Sequence, residues 1–289
     1  MELADFFAID RLSQHDEELL IESAMQMQQM MLLYESGIRE IKTKLDILSD
    51  ESRISGKPSP IDSIKSRIKS PRSIISKLKR RGFPITLQSM IDNLNDIGGI
   101  RVICPFIEDI YTVADMLMRQ DDLTLIEKKD YIANPKPNGY RSLHLILEVP
   151  IFLAERTQPV RIELQIRTMA MNFWATIEHS LQYKYKENIP EYIQQKLLDA
   201  SEAIIEVDHE MSDVRDEIMD AQNSHRKKET LVKDILNNIQ NLYKVANQRE
   251  VTKIQDEFYK VYVLDDMLQL KHFARQLDII SEGYRAQSL

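Results

Sequence analysis

Cysteine occurs once in these 289 residues and glycine only seven times. The single thiol, Cys104, excludes an internal disulfide framework and any site built from several thiolates. Set in the apolar run Ile100 to Pro105, it reads as a small buried hydrophobe. No uninterrupted apolar run is long enough to span a bilayer, and Met1-Glu2-Leu3-Ala4-Asp5 has no signal-peptide pattern, so the expectation is a soluble protein of the cytoplasm with no membrane partner. A glycine-rich phosphate loop of the Walker or dinucleotide type is missing as well. The net charge of −8 argues against broad adhesion to nucleic acid, which needs a basic face, so any phosphate site must be local. What the chain has in quantity is charge, 29% of its residues, arranged in long amphipathic runs. That pattern predicts a helix-rich protein with a substantial core, as one large or two modest domains.

From about Glu17 to Leu48 the apolar spacing is helical, and Met25, Met27, Met30 and Met31 read as packing against a core or a subunit surface. His15-Asp16-Glu17-Glu18 resembles a metal-binding His-Asp pair, but such a site needs further ligands and the next histidine is His144. The acids read instead as a favourable start for the helix dipole. Ser55-Gly56-Lys57-Pro58-Ser59-Pro60 breaks the helix. A new helix is expected from about Ser70, another over Asp109 to Arg119, and strands over Leu123 to Tyr131, Arg141 to Val149 and Arg161 to Arg167, with a helix opening at Thr168. Strands alternating with helices imply an α+β fold, a mixed sheet flanked by helices. Beyond His179, Ala200, Ile204, Val207, Met211, Val214, Ile218 and Ala221 form a heptad-like seam that predicts helix-on-helix packing. Further helical stripes follow, Leu231, Ile235, Ile239 and Leu242, then Leu264, Met267, Leu270, Phe273, Leu277 and Ile280.

Chemistry concentrates in the middle. In Arg161-Ile162-Glu163-Leu164-Gln165-Ile166-Arg167 every second residue is polar, so Arg161, Glu163, Gln165 and Arg167 share one face of a strand. Such a face is either a half-solvated edge or the floor of a ligand site, because polar groups over an apolar sheet need a polar partner. The stiff loop Asn134-Pro135-Lys136-Pro137-Asn138-Gly139-Tyr140-Arg141-Ser142 before it favours the ligand. Lys65, Arg67, Lys69, Arg72, Lys77, Lys79, Arg80 and Arg81 form a basic run in an acidic protein. Lys79 to Arg81 read as a solvated helix face, whereas Arg67, Lys69 and Lys77 could converge on a polyphosphate. Asp96 stands before the pair Gly98-Gly99 at a strand mouth, and with Glu163 it offers two carboxylates, a common way to hold Mg²⁺ together with nucleotide phosphates.

Asn134 to His144, Glu163-Leu164-Gln165-Ile166-Arg167-Thr168 and Ala170 to His179, together with Arg67-Ile68-Lys69 and Asp96-Ile97-Gly98-Gly99-Ile100-Arg101, resemble the synthetase domain of the RelA/SpoT family, and above all its stand-alone small alarmone synthetases. The resemblance covers roughly residues 40 to 215 and implies a nucleotidyltransferase-like fold. It implies transfer of the β,γ-pyrophosphate of ATP to the 3′-hydroxyl of GDP or GTP, releasing AMP, in the stringent response. The residues ahead of Arg67 are too few for the hydrolase domain of the bifunctional members.

The family's site residues fall on particular positions. ATP contacts fall on Arg67, Lys69, Ser73, Lys77 and Arg101, and catalytic carboxylates that also ligate Mg²⁺ on Asp96 and Glu163. Tyr140 matches the aromatic that stacks on guanine, and Lys136, Asn138, His144, Gln165 and Asn172 match positions around the acceptor GDP or GTP. The implied organisation is an N-terminal helical segment (1–55), the synthetase domain (56–186), a flanking helix (187–223) and a helical extension (224–289) outside the resemblance, with homotetramers formed through the flanking helices. Glu127-Lys128-Lys129-Asp130 is mixed in charge and leaves the choice of GDP or GTP open, and Asp46 and Ser49 stand where some relatives carry cations for an activating alarmone. A second reading, a catalytically silent nucleotide- or RNA-binding regulator, is motivated by the basic segment 65–81 and the tail.

Overall fold

The computed structural model describes residues 14–185 and 190–287. They divide into two compact units, the first running to Ser212 and the second from Asp213. In the first, helix α1 (Gln14–Ile54) leads to strand β1 (Ser63–Ile68), helices α2 (Pro71–Arg81) and α3 (Leu87–Asn93), strand β2 (Gly98–Cys104) and helix α4 (Ile107–Met118). Strands β3 (Thr124–Asp130), β4 (Leu143–Phe152) and β5 (Thr157–Thr168), helix α5 (Met169–Tyr185) and the first part of α6 (Glu191–Leu242) follow. The strands form one sheet in the order β1-β2-β5-β4-β3, with β2 and β5 parallel and the other neighbours antiparallel. This is the expected mixed sheet flanked by helices. Strand β5 lies at its centre, so the polar alternation does not mark a solvated edge.

Alternation along β5 sorts its two faces. Val160, Ile162, Leu164 and Ile166 are buried, while Arg161, Glu163 and Gln165 are half-buried. The apolar side receives α1, whose Met30, Tyr34, Ile38, Ile41 and Leu45 recur at helical steps and are all buried. Burying a side chain of that size is worth about 1.5–3 kcal/mol, so this one stripe is a large share of what holds α1 to the sheet. A Cβ at Gly98 would meet Ile162 Cδ1 at 2.7 Å and Tyr34 Cδ1 at 3.4 Å, which is why the entry to β2 carries no side chain there. Met27 and Met31 pack partly on the same core, whereas Met25 is exposed. His15 to Glu18 fall in α1 by backbone, and their side chains lie outside the described residues. Cys104 is buried, and burial pushes its thiol far above the ordinary range.

Helix α2 starts where its punctuation dictates. Ser70 caps it by accepting from Ser73 N–H, Pro71 takes the first turn, and Gly82 at φ 74° closes the far end in the left-handed region. Strand β1 and helix α3 lie outside the sequence expectations. Strand β1 is an edge strand whose Lys65, Ser66 and Arg67 are exposed, so it carries no apolar alternation to read, and α3 has only seven residues.

The second unit joins the C-terminal part of α6 to α7 (Gln248–Val263) and α8 (Met267–Gln287) around Ile235, Ile239, Leu242, Val251, Phe258, Leu270, Phe273 and Leu277. These include most of the expected stripes, but Leu264, at the end of α7, is 63% exposed. The expected division at 223/224 falls inside the continuous α6. The heptad-like seam is uncovered in the single chain, with Val207, Met211, Val214 and Ile218 about half exposed. Among the described residues no helix is long and apolar enough to cross a membrane.

Candidate functional site

Lys69 leaves the end of β1 and Lys77 stands on the inner side of α2, and both donate to Oδ2 of Asp96, the lysine Nζ of Lys77 at 2.5 Å. Oδ1 of Asp96 is buried with no hydrogen-bond partner. Burial alone would raise the pKa of this carboxyl, but the two ammonium groups outweigh it and hold the group below the usual aspartate range. Burial likewise pushes the Lys77 ammonium below its ordinary value, against the pull of Asp96. Arg67 sits on β1 opposite Gly99, its Nε 3.8 Å from where a Cβ of that glycine would be. Ser73 is exposed on α2, its Oγ 2.9 Å from that of Ser70. Arg101 is the half-exposed residue of an otherwise buried β2. Its Nη1 donates to Asn172 Oδ1 at 3.5 Å while its Nε is buried without a partner.

The second group centres on Glu163. Its Oε2 accepts from Gln165 Nε2 at 3.1 Å, and its Oε1 lies 3.4 Å from His144 Nδ1. Burial pushes the Glu163 pKa up, His144 and Gln165 together pull it down, and the net position is below the ordinary glutamate value. Asp96 acts on Glu163 in the raising direction, so the two carboxylates share one electrostatic site. Gln165 in turn accepts from Arg167 Nη2 at 2.8 Å. The same nitrogen donates to Tyr140 Oη, and Arg167 Nε donates to Ser142 Oγ at 3.2 Å. Tyr140 Oη is also 2.8 Å from His144 Nε2, and burial raises the phenol's pKa against the pull of Arg167. The ammonium of Lys136 stands 4.6 Å from the ring centre of Tyr131 and 4.7 Å from that of Tyr140. Asn138 donates to Glu178 Oε1 at 3.0 Å and accepts from Tyr140 N–H at 3.2 Å, which stiffens the turn behind the ring.

The parallel register of β2 on β5 unites the groups. Gly99 pairs with Glu163 and Arg101 with Gln165, while β4 brings His144 opposite Gln165 from the other side. Asp96, Lys69 and Lys77 thus form one cluster, and Glu163, Gln165, His144, Tyr140 and Lys136 adjoin it over the polar face of the sheet. Lys79, Arg80 and Arg81 are exposed, as a solvated helix face should be. Tyr131 and Glu178 escape sequence reasoning, and Arg167 is legible only as part of the polar face of β5. For Arg167 a signal existed, since it shares the strand face of Glu163 and Gln165, yet it is 3% exposed and bonds protein groups. Tyr131 enters through the Lys136 ammonium over its ring and through edge-on contacts with Tyr140 and His144, at 6.1 and 5.2 Å between ring centres. Among the described residues no three His, Cys, Asp or Glu side chains gather as a metal cage. A cation here would rest on the two carboxylates and on ligands brought by a nucleotide, and the orphaned, buried Oδ1 of Asp96 suits that role.

Comparison with known proteins matches residues 66–188 to the region found in RelA/SpoT proteins. The chain is 43% identical to GTP pyrophosphokinase YwaC of Bacillus subtilis over 188 residues, 65% of this chain and 90% of that protein. It is 40% identical to GTP pyrophosphokinase YjbM of the same organism over 203 residues, 70% and 95% of the two chains. Among solved structures, small alarmone synthetase 1 of Bacillus subtilis bound to its product pppGpp superposes with a TM-score of 0.62 at 40% identity, covering 67% of this chain and 98% of that one.

Proposed function

This chain belongs to the RelA/SpoT family, among its small alarmone synthetases, and from that premise we propose that it transfers a pyrophosphoryl group from ATP to the 3′-hydroxyl of GDP or GTP, yielding AMP and the alarmone ppGpp or pppGpp. The observation that carries this reading is the β2–β5 register, which sets a phosphate-type cluster of cations beside an ionised carboxylate and a hydrogen-bonded tyrosine. Residues 56–186 carry the reaction, the segments 1–55 and 187–223 flank it, and 224–289 is a helical extension. The catalytic reading prevails over a silent regulator, since relatives matched over 90% and 95% of their own length are themselves GTP pyrophosphokinases.

In the reaction, Arg67, Lys69, Ser73, Lys77 and Arg101 receive the ATP phosphates, and Lys69 and Lys77 exchange their bond to Asp96 for phosphate oxygens. The ring of Tyr140 stacks on the guanine, a contact worth about 1–3 kcal/mol. Because Lys136 lies near that ring, it comes to the acceptor with it, together with Asn138, His144, Gln165 and Asn172. Positioning of the 3′-oxygen in line with the β-phosphorus supplies much of the rate. Glu163, held ionised by its depressed pKa, takes the hydroxyl proton, and Gln165 fixes the orientation of its carboxylate. Asp96 and Glu163 would hold Mg²⁺, which when bound offsets the negative charge of the phosphates. The protein acts in the cytoplasm as a homotetramer; the uncovered seam of Val207, Met211, Val214 and Ile218 on α6 supports the self-association, though not its number of subunits.

Incubation of the purified protein with labelled ATP, Mg²⁺ and either GDP or GTP tests the proposal. AMP and a more highly phosphorylated guanosine should appear together, and the faster acceptor settles the preference. Tight RNA binding with no turnover would overturn the reaction in favour of a regulator.

A further inference from the structure

The acceptor loop has a neighbour that no motif announces. Helix α6 lays one face along the catalytic unit through residues spaced four, seven and four apart, which stack on a single side of a helix. Leu197 O accepts from Trp174 Nε1 at 2.9 Å, Ser201 Oγ donates to Gly139 O at 2.5 Å, Asp208 Oδ2 accepts from Thr168 Oγ1 at 2.6 Å, and Ser212 Oγ donates to Glu108 Oε2 at 3.2 Å. Three of these anchors fall on α4, α5 and the end of β5. The one from Ser201 falls on the loop that carries Asn138 and Tyr140.

The fit at that point is close. Ser201 is 3% exposed, and a Cβ at Gly139 would meet Ser201 Cβ at 2.8 Å and Leu198 Cδ1 at 3.2 Å. Gly139 also has φ 88°, so the position is closed to a side chain by backbone and by neighbour alike. The turn closes on itself through Gly139 N–H to Lys136 O at 2.8 Å and Lys136 N–H to Tyr140 O at 3.2 Å. It is tied outward through Asn138 to Glu178 and through Tyr140 Oη to Arg167. Ser201 supplies the bond to the main chain between those two side chains.

We propose that Ser201 is a positioning residue for the guanine nucleotide: from α6 it holds the Gly139 carbonyl and thereby sets where Asn138 and Tyr140 present to the acceptor, with no part in ATP binding. This rests on the assignment of Tyr140 to the acceptor base. Because α6 keeps its other three anchors, removing the Ser201 hydroxyl leaves the helix seated and lets the loop alone relax. Trp174 reports on that seat, being the chain's only tryptophan.

The test measures KM for the guanine acceptor and for ATP, with Trp174 emission, in Ser201→Ala, Ser201→Leu and Tyr140→Ala. Loss of one neutral hydrogen bond should raise the acceptor KM of Ser201→Ala about fivefold. Ser201→Leu, which forces volume against Gly139, should raise it further. ATP KM and the emission maximum of Ser201→Ala should stay at wild-type values. An unchanged acceptor KM in both Ser201 variants, with a raised one in Tyr140→Ala, overturns the inference and leaves the site reading intact. Equal rises in both KM values with red-shifted Trp174 emission also overturn it, since Ser201 would then merely seat the helix. If Tyr140→Ala itself leaves the acceptor KM unchanged, the site reading falls and this inference with it.

Discussion

The ammonium of Lys77 lies 2.5 Å from Asp96 Oδ2, while Oδ1 of the same carboxylate is buried without a partner. In the free protein Asp96 therefore neutralises the cations meant for phosphate with one oxygen and keeps the other available. Asp96→Asn should leave Lys69 and Lys77 without their counter-charge and lower stability by roughly 1–3 kcal/mol, less than for a fully buried pair because these side chains keep some water contact. Urea unfolding measures that loss. Titration with ATP in the presence of a chelator should show binding kept or tightened, since no carboxylate competes for the lysines, although turnover is lost. Abolished ATP binding in a folded variant would remove Asp96 from this role.

Asp208 gives a pH prediction of the opposite sign to most carboxylates. Burial raises its pKa, and the Thr168 hydroxyl that donates to it offsets this only in part. A group whose folded pKa is raised contributes stability that is fully present below its unfolded value, near pH 4, and lost as pH rises through the folded value. At pH 7 the buried charge is thus unfavourable. Asp208→Asn keeps an oxygen to accept from Thr168, so its unfolding midpoint should exceed that of the wild type at neutral pH, with the difference vanishing below about pH 4. A lower midpoint at pH 7 would contradict the assignment.

How much of this was legible in the sequence depends on the range of the interaction. The four polar residues of β5 declare their common face, and the residue types around Asp96 declare a charge cluster, because both are local patterns. That Lys69 and Lys77 meet on one oxygen of Asp96 is not local, for it follows from the seating of α2 on the core through the buried Ile74 and Leu78. The pairing of His144 with Glu163 likewise needs the β4–β5 register, which places His144 opposite Gln165 across a gap of 21 positions. Strand β1 was illegible because an exposed edge strand carries no apolar period. Position 223/224 lies inside one continuous helix, since no glycine or proline interrupts Glu191 to Leu242.

Tyr140 combines a ring and a hydroxyl whose contributions can be separated. Tyr140→Ala removes stacking and should raise the acceptor KM about tenfold or more, with ATP binding nearly unaffected. Tyr140→Phe keeps the ring but deprives the buried Arg167 and the half-buried His144 of a partner. It should raise the acceptor KM less, while lowering the unfolding midpoint more than an exposed hydroxyl would. Equal effects on the acceptor KM from both variants would mean that the hydroxyl network, and not the ring, serves the base.

Glu163 lies where both clusters meet, paired in register with Gly99 and Ile146, bonded by Gln165 and flanked by His144. Glu163→Gln preserves shape and an oxygen for Gln165 but cannot accept the 3′-hydroxyl proton. Loss of general-base help alone should lower kcat by about 10²–10⁴, with the KM for ATP changed far less. The charge removed from the floor of the site would also weaken Mg²⁺, so turnover should be measured across a metal titration alongside thermal unfolding and oligomer size. Activity restored by excess Mg²⁺ would make Glu163 chiefly a metal ligand. Activity that stays low at saturating metal, in a folded variant of wild-type size, is the expected result and marks proton acceptance. Near-normal turnover at ordinary Mg²⁺ would remove Glu163 from the reaction.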